Sequence, residues 1–432
     1  MPAEKYWGAQ TERSRNNFKI GTDTCAMPAE IIKALARIKK AAAIVNARLL
    51  PNRMSAEKRN FICAAADEIL AGRLDGNFPL VVWQTGSGTQ TNMNVNEVIA
   101  NRGNELAGKK LLHPNDDVNM SQSSNDVFPS AMHMAAVDAL ESHLIPALRQ
   151  LINTFLRLEE DHRGIMKCGR THLQDAAPLE FSAEISGWRS SLEKDIELLE
   201  RTLTPLKVLA LGATAVGTGM NAPEGFDRAI AEEIGGFSPA ENKYHALTSR
   251  DELVFAHGAV KATAADLMKI ANDVRWLACG PRLGLGEITI PANEPGSSIM
   301  PGKVNPTQCE QLTMVTAQVM GNDATIGFAA SQGNFELNVF MPVIIYNFLQ
   351  SVNLLAESVN SFNENCAVGI KAIRKKMRFN YDNSLMRITE LTPLIGYETA
   401  AEVALLAVRE ELTLRQALIK SGITDESILS KL

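Results

Sequence analysis

The chain has 432 residues, of which 45% are hydrophobic, and its formal net charge is −6. A chain of this length can bury a large core and form more than one domain. Because no dense lysine–arginine tract accompanies the weak negative charge, binding to nucleic acid is not expected. No apolar run reaches the ~18 residues that a membrane span needs. Residues 1–5 lack the basic and apolar regions of a signal peptide, so we expect a cytoplasmic protein.

The six cysteines are scattered along the chain without any Cys-x-x-Cys pair. This spacing differs from that of zinc sites and of typical iron–sulfur clusters. The histidines show no His-Glu-x-x-His pattern either. The sequence therefore predicts no bound metal and no cofactor. The cysteines are Cys25, Cys63, Cys168, Cys279, Cys309 and Cys366.

Helical periodicity dominates the chain and predicts an all-α fold. Near the N-terminus, apolar residues recur at helical spacing from Ile31 to Val45. A second helix is expected from Ala56 to Leu70, with Ser55 as its N-cap. Alternating apolar and polar residues are rare, and only 6% of the residues are aromatic, so strand signals are sparse.

Four longer apolar stripes predict long helices that pack side by side. They cover residues 137–158, 185–206, 253–274 and 344–362. Such stripes indicate helix–helix contact rather than chemistry. Because an elongated bundle exposes much apolar surface unless other subunits cover it, we expect an oligomer.

Two polar regions before the long helices are candidates for anion binding. Residues 83–94, WQTGSGTQTNMN, precede a predicted helix over 96–106. Backbone N–H groups at a helix N-terminus, together with hydroxyl groups, can hold an anion, and without a P-loop lysine phosphate is not favoured over carboxylate. Residues 113–117 and 121–126 form the second region. A flexible turn and a solvated loop are the alternative interpretations.

Residues 169–175, GRTHLQD, place His172 in a polar loop between the first two long helices. A lone histidine is more often structural than catalytic, so both interpretations stay open at this point. Residues 217–222, GTGMNA, imitate a dinucleotide-binding fingerprint. We reject that interpretation because no strand and no βαβ unit is expected around them.

The stretch 296–306, GSSIMPGKVNP, lies between two long helical patterns and matches neither helix nor strand. Pro295, Pro301 and Pro306 interrupt regular structure, and two glycines permit unusual backbone angles. We expect a mobile loop that carries two hydroxyls, one amine and one carboxamide. Asn305 followed by Pro306 predicts the N-cap and the first residue of the next helix. An ordinary interhelical loop is the alternative.

Together these motifs resemble the fumarase/aspartase superfamily over nearly the whole chain. The 296–306 stretch is similar to the signature loop of that superfamily. Three further stretches are similar to class II fumarases, namely residues 85–90, 122–126 and 169–175. Aspartases also resemble the chain, but they typically have Ala, Thr and Gln where this chain has Ser87, Ser124 and His172.

The resemblance implies an all-α fold with three domains. These would be an N-terminal helical domain over 1–122, a central bundle of long helices over 123–374 and a small C-terminal helical domain over 375–432. The resemblance also implies a homotetramer with a core of bundled long helices. Each active site would draw residues from three subunits.

The implied reaction is the reversible anti addition of water to fumarate, a small dicarboxylate, in the tricarboxylic acid cycle. The product would be (S)-malate, formed through an aci-carboxylate carbanion. Aspartate ammonia-lyase shares this loop and this carbanion chemistry, and it is the alternative enzyme. A non-catalytic helical relative is the alternative of another class.

The resemblance further implies roles for single residues. Ser297 would remove the C–H proton, and His172, oriented by Glu310, would handle the proton of the adding or leaving water. Lys303 and Asn305 would stabilise the oxyanion of the carbanion. The substrate would be bound by Ser87, Gly88, Thr89, Ser123, Ser124, Asn125, Thr171, Ser298, Lys303, Val304 and Asn305. An accessory anion site would consist of Lys110, His113, Pro114, Asn115 and Asp116.

Overall fold

The computed structural model describes residues 4–432. The prediction that residues 1–5 lack the features of a signal peptide rests partly on Met1, Pro2 and Ala3, which lie outside the described residues. The predicted first domain also begins with these three residues. The architecture is all-α, as predicted, because helices make up most of the described chain and the strands are short. None of the described helices is both long enough and apolar enough to cross a membrane.

Long and short helices follow one another along the chain. Their bounds are α1 Ala9–Asn17, α2 Ala29–Leu49, α3 Ala56–Leu70, α4 Thr89–Ala107, α5 Ser124–Ala139, α6 Ile145–Asp161, α7 Phe181–Leu206, α8 Phe226–Ile234, α9 Lys243–Thr248, α10 Asp251–Ala278, α11 Thr307–Ala330, α12 Met341–Asn365, α13 Arg374–Asn383, α14 Ile388–Ile395, α15 Tyr397–Arg409, α16 Leu414–Lys420 and α17 Glu426–Leu429. Two π-helical turns, Pro114–Val118 and Leu140–Leu144, lie between them.

The predicted N-terminal helices are confirmed as α2 and α3. The apolar residues at helical spacing in α2, such as Ile31, Leu35 and Ile38, are fully buried. Ser55 caps α3 as predicted, because its hydroxyl accepts the backbone N–H of Lys58 at 3.2 Å.

The four predicted long helices are also confirmed. The first apolar stripe runs from α5 into α6 through the π-helical turn Leu140–Leu144, and the other three correspond to α7, α10 and α12. A fifth long helix, α11, carries no single stripe, because its apolar side chains point to several sides. Leu312 is buried, for example, whereas Met314 and Phe328 are exposed. Sequence periodicity therefore did not mark α11 as a long helix.

The predicted cap of α11 is wrong. The helix begins at Thr307, and the carbonyl of Pro306 accepts the N–H of Glu310 at 3.1 Å. Pro306 is therefore the N-cap residue, one position later than predicted. The side chain of Asn305 instead donates to the Gly296 carbonyl across the loop, at 2.6 Å.

The strands pair into two-stranded sheets. The longest two, β1 Met166–Thr171 and β2 Gln174–Glu180, form an antiparallel hairpin, so residues 169–175 are a hairpin and not the polar loop that we expected. The other strands have two residues each. They are β3 Val208–Leu209, β4 Ser238–Pro239, β5 Ile288–Thr289, β6 Gly333–Asn334, β7 Leu337–Asn338 and β8 Lys371–Ala372.

The expectation that no strand precedes residues 217–222 is wrong as well. β3 ends before this stretch and pairs in parallel with β4, which follows α8. However, α8 begins at Phe226 with Gly225 as its N-cap. The glycine motif therefore does not form the helix N-terminus at which a dinucleotide fingerprint binds pyrophosphate.

The chain divides into two compact units. The first consists of Met1–Pro146, Asp195–Ala264 and Val315–Ala356. Within this unit α2 packs against α3, α4, α5 and α8. This packing fixes the starts of α4 and α5, which carry two of the polar motifs.

The second unit consists of Ala147–Lys194, Ala265–Met314 and Glu357–Leu432. Within it α13 packs on β1, and α14 to α16 pack on one another. The C-terminal helices have a core of their own around Leu391 and Val403. The division into three domains at residues 122 and 374 stays a prediction.

Candidate active site

The TGSGT motif turns sharply into α4. Gly88 is the N-cap of α4 and has a φ angle of +71°, which favours glycine. A Cβ atom at this position would lie 2.3 Å from the ring of Phe128, so close packing requires glycine too. α4 begins at Thr89 rather than at residue 96. The hydroxyls of the motif thus lie at a helix N-terminus, as predicted.

Three hydroxyl groups join this motif to the start of α5. Thr89 Oγ1 is hydrogen-bonded to both Ser87 Oγ and Ser124 Oγ, at 2.8 Å in each case. Ser123 is the N-cap of α5, and its hydroxyl accepts the N–H of Asn125 at 3.2 Å. Two helix N-termini therefore present uncharged donors side by side, an arrangement that suits a carboxylate.

Asp126, which the sequence analysis did not include in the site, fixes this arrangement. Its buried carboxylate accepts backbone N–H groups at 2.9–3.1 Å from Ser123, Gly212 and Thr214. Burial raises the pKa of this carboxyl to about 6. Next to it, the side-chain amide of Asn125 donates to the Ala215 carbonyl at 2.9 Å. The 212–215 segment and the start of α5 therefore hold each other in place.

Lys39 of α2 is a second ionisable group that the sequence analysis missed. Its side chain is fully buried, and its ammonium donates to Asn119 Oδ1 and Gln122 Oε1, both at 2.9 Å. Burial lowers the pKa of Lys39 to about 7. One signal was present in the sequence: Lys39 lies four residues after Leu35 and three before Ala42, on the apolar stripe of α2.

His172 and Leu173 form the two-residue tip of the β1–β2 hairpin. Their φ angles are +56° and +59°, as in a type I′ turn, which Asn and Gly usually occupy. Positive φ angles are uncommon for residues other than glycine, above all for a leucine, and residues that are held at such angles cluster at functional sites. Thr171 pairs with Gln174 at the base of the tip. Thr171 and His172 are both exposed there.

The base of the hairpin is fixed by Glu287, another buried carboxylate that the sequence analysis missed. It pairs with Arg170 of β1, accepts a hydrogen bond from Asn380 at 2.8 Å and lies 3.4 Å from Lys167 Nζ. Burial opposes the charge of Glu287, but Arg170 and Lys167 outweigh it and lower the pKa of the carboxyl. Glu287 thereby anchors β1, the strand that leads to His172, through Lys167 and Arg170.

The 296–306 loop closes on itself and is neither helix nor strand, as predicted. The Gly296 N–H donates to the Lys303 carbonyl at 3.0 Å, and the Gly296 carbonyl accepts from Asn305. A Cβ atom at residue 296 would lie 2.1 Å from the Lys303 carbonyl oxygen. Only glycine allows this closure, which ties residues 303 and 305 to residue 296.

Ser297 has donors directed at its hydroxyl. Its Oγ accepts the backbone N–H of Ile299 at 3.3 Å and that of Met300 at 3.1 Å. Donors of this kind stabilise the anionic form of an oxygen. The neighbouring Ser298 is exposed.

Lys303, Val304 and Glu310 line one cavity of about 740 Å³, together with Trp276. Glu310 lies in the first turn of α11 and is exposed. Among the described residues of one chain, no hydrogen bond or ion pair joins His172 to Glu310. The pairing of these two residues therefore stays a prediction for an assembly of several chains.

The predicted accessory residues lie at and before the π-helical turn Pro114–Val118. His113 Nδ1 lies 3.2 Å from the backbone nitrogen of Asp116 and 3.1 Å from its carboxylate oxygen Oδ2. Asp117 fixes the turn by accepting the N–H of His113 at 2.7 Å. The exposed members of this group are Lys110, His113, Asn115 and Asp116.

A group of possible metal ligands in the described part of the chain consists of His245, Asp251 and Glu252. His245 Nε2 lies 3.3 Å from a carboxylate oxygen of Asp251. None of the three belongs to the predicted site, and exposed acidic groups are common without an ion.

Comparison with known proteins identifies the family. The lyase family matches residues 1–321, and the fumarase C C-terminus family matches residues 388–432. The class II fumarate hydratase of Bacillus cereus is 60% identical over 435 residues, which cover 99% of this chain and 93% of that protein. The class II fumarate hydratase of Bacillus subtilis is 58% identical with the same coverage.

A solved structure agrees with this result. The class II fumarase of Schistosoma mansoni matches with a TM-score of 0.97 at 41% identity, over 100% of this chain and 96% of that one. The resemblance inferred from the motifs is thereby confirmed. The chain belongs to the lyase family and, within it, to the class II fumarate hydratases.

Proposed function

We propose that the chain catalyses the reversible anti addition of water to fumarate, giving (S)-malate through an aci-carboxylate carbanion. Membership of the class II fumarate hydratases supports this reaction. The observation that carries the proposal is the environment of Ser297. On the signature loop, two backbone N–H groups point at the hydroxyl of the residue that would act as the base.

The difficult step is removal of a weakly acidic C–H proton next to a carboxylate. A serine hydroxyl is normally too weak a base for it. The N–H groups of Ile299 and Met300 would stabilise the Ser297 alkoxide, and the ammonium of Lys303 on the same loop would favour it further. A positioned general base contributes ~10²–10⁴ in rate.

The carbanion is low enough in energy to form only if the adjacent carboxylate accepts the additional negative charge. Lys303 and Asn305 are the proposed donors to that oxyanion. Asn305 uses one of its two amide hydrogens on Gly296, which leaves the other for the substrate. Each fixed donor at a developing oxyanion is worth ~10²–10³ in rate.

The hydroxyl groups of Ser87, Thr89 and Ser124 would bind a substrate carboxylate, together with the amide of Asn125. Hydrogen bonds through Thr89 hold the three hydroxyl groups together at the N-termini of α4 and α5. This arrangement favours a small anion over a neutral ligand. The remaining members of the proposed binding set are Gly88, Ser123, Thr171, Ser298 and Val304.

We further propose that the active form is a homotetramer with sites shared by three subunits. His172 stands on an exposed hairpin tip and does not meet Glu310 within one chain, as expected for a site completed by other copies. Large apolar side chains also remain exposed in one chain, including Phe328 at 66% and Phe335 at 93%. Burying them in an assembly would be favourable.

An assay of purified protein tests the reaction. We expect fumarate to be consumed and malate to form in buffer without ammonium, with no aspartate formed when ammonium is added. Aspartate formation that depends on ammonium would show an ammonia-lyase instead. Absence of both products, from protein with the expected helical circular dichroism, would show a non-catalytic relative.

A further inference from the structure

A cavity of about 180 Å³ in the first unit contains none of the predicted site residues. Its walls come from α5, β3, α9 and the start of α10. Two fully or nearly buried ionisable residues, His133 and Arg250, line it, together with the carboxylate of Glu252. Buried ionisable groups are costly unless they are paired, so their partners identify what the cavity can hold.

The ring of His133 presents a hydrogen-bond acceptor. Its Nδ1 lies 2.8 Å from the Val208 carbonyl, which can only accept, so Nδ1 carries the proton. In the neutral imidazole, the other nitrogen, Nε2, therefore carries a lone pair. This atom has no hydrogen-bond partner in the described chain and lies 4.0 Å from Glu252 Oε2.

The guanidinium of Arg250 presents donors. Only 1% of the residue is exposed, and its Nη2 donates to the Ala246 carbonyl at 2.5 Å. Its Nε has no partner among the described residues. A buried arginine of this kind suits an anionic oxygen, above all a carboxylate, which the planar guanidinium can bind with two hydrogen bonds.

The cavity therefore presents one site for an anion beside two acceptors that suit a cationic donor. We propose that it binds a small zwitterionic α-amino acid, with the carboxylate on Arg250 and the ammonium between Glu252 and His133. The volume supports a ligand of this size. It equals about six water molecules at ~30 Å³ each, and alanine has the same number of non-hydrogen atoms. Exposed Glu241, Asn242 and His245 form the side that faces solvent.

Calorimetric titration of the full-length protein tests the proposal without any mutation. Alanine should bind at least about tenfold more tightly than acetate, methylamine or lactate, because each of these lacks one of the two charges. Equal affinity for lactate and alanine would overturn the proposal, and so would the absence of any alanine binding. Saturating succinate should leave alanine affinity unchanged. Competition would place alanine in a dicarboxylate site and would overturn the proposal too.

Two variants locate the ligand in this cavity. Arg250→Gln should weaken alanine binding at least about tenfold. If this buried change prevents folding, Glu252→Gln keeps the test valid, because it should weaken alanine binding but leave acetate binding unchanged. The matched control is Arg228→Gln, an exposed arginine of α8, which should bind alanine like the wild type.

A divalent cation is the competing occupant, because Glu252 also belongs to the His245–Asp251–Glu252 group. Titration with Zn²⁺ alone separates the two possibilities. If Zn²⁺ binds to the wild type but not to Glu252→Gln, and alanine does not bind to the wild type, the site is a cation site and the proposal is wrong. If alanine binds equally well after treatment with a chelator, the amino-acid site is supported.

Discussion

The Arg170 guanidinium donates two hydrogen bonds to the Glu287 carboxylate, at 3.1 and 2.8 Å. The two residues are 117 positions apart in the chain. Glu287 is fully buried, and Lys167 and Asn380 also contact it. This pair ties the β1–β2 hairpin, and with it the position of His172, to a distant part of the second unit.

Glu287→Gln should therefore destabilise the protein. The substitution leaves Arg170 and Lys167 without their shared buried counter-charge, and breaking a buried ion pair costs about 3 kcal/mol of unfolding free energy. We expect the thermal midpoint to fall by several degrees, measured by circular dichroism. Glu402→Gln, at an exposed carboxylate of α15, is the control. Equal midpoints for the two variants would contradict a stabilising role of Glu287.

Lys39 should make stability depend on pH in the alkaline range. Its pKa in the folded chain is about 7, below the ordinary 10.5, so between these values the unfolded chain binds more protons. Above pH 10.5 the amine is neutral in both states, and the free energy of unfolding carries no penalty for a buried charge. As the pH falls from 10.5 to about 7, the unfolded chain takes up the proton first, and this part of the stability is lost. Relative to Lys39→Met, the wild type should thus gain stability as the pH rises across this window.

Urea unfolding at several pH values measures this difference. Lys40→Met, at the neighbouring lysine that pairs with Asp67 near the surface, controls for the loss of one lysine. Parallel curves for the wild type and Lys39→Met would show that the Lys39 ammonium is not desolvated in the folded chain.

Ser297→Ala should lower kcat by about 10²–10⁴, because it removes the proposed general base. The oligomer should persist, as judged by light scattering, because within residues 4–432 the hydroxyl bonds only to neighbouring loop amides. Ser298→Ala, one residue further on, should mainly raise KM. Wild-type turnover in Ser297→Ala would rule out this base.

His172→Asn should slow hydration by about 10²–10⁴, because the amide cannot move the proton of the water. Asn also accepts left-handed backbone angles, so the hairpin tip should keep its shape. Measurement of kcat for malate dehydration and fumarate hydration gives the effect. The control is His143→Asn, at an exposed histidine that contacts Asn353. If both variants keep full activity, the assignment of the water-side proton to His172 is wrong.

Part of the active-site geometry was predictable from local sequence. The polar stretches 83–94 and 121–126 do stand at helix starts, and Ser123 caps α5 with the serine and aspartate pattern of a capping box. The hairpin was not predictable. Its tip is His172-Leu173, a pair that does not match the Asn-Gly type of turn signal although both residues have positive φ angles.

The sequence by itself determined the N-terminal helices α2 and α3, the helices with a single apolar stripe and the types of side chain in the polar stretches between them, but not α11 or the β1–β2 hairpin. These features depend on contacts between residues three or four positions apart, and such contacts repeat visibly along the chain. The tertiary structure alone decided that Glu287 meets Arg170 and that Asp126 binds Thr214. It also decided that Lys39 is buried against Asn119. A buried charge is stable only next to its partner, and packing, not local spacing, selects that partner.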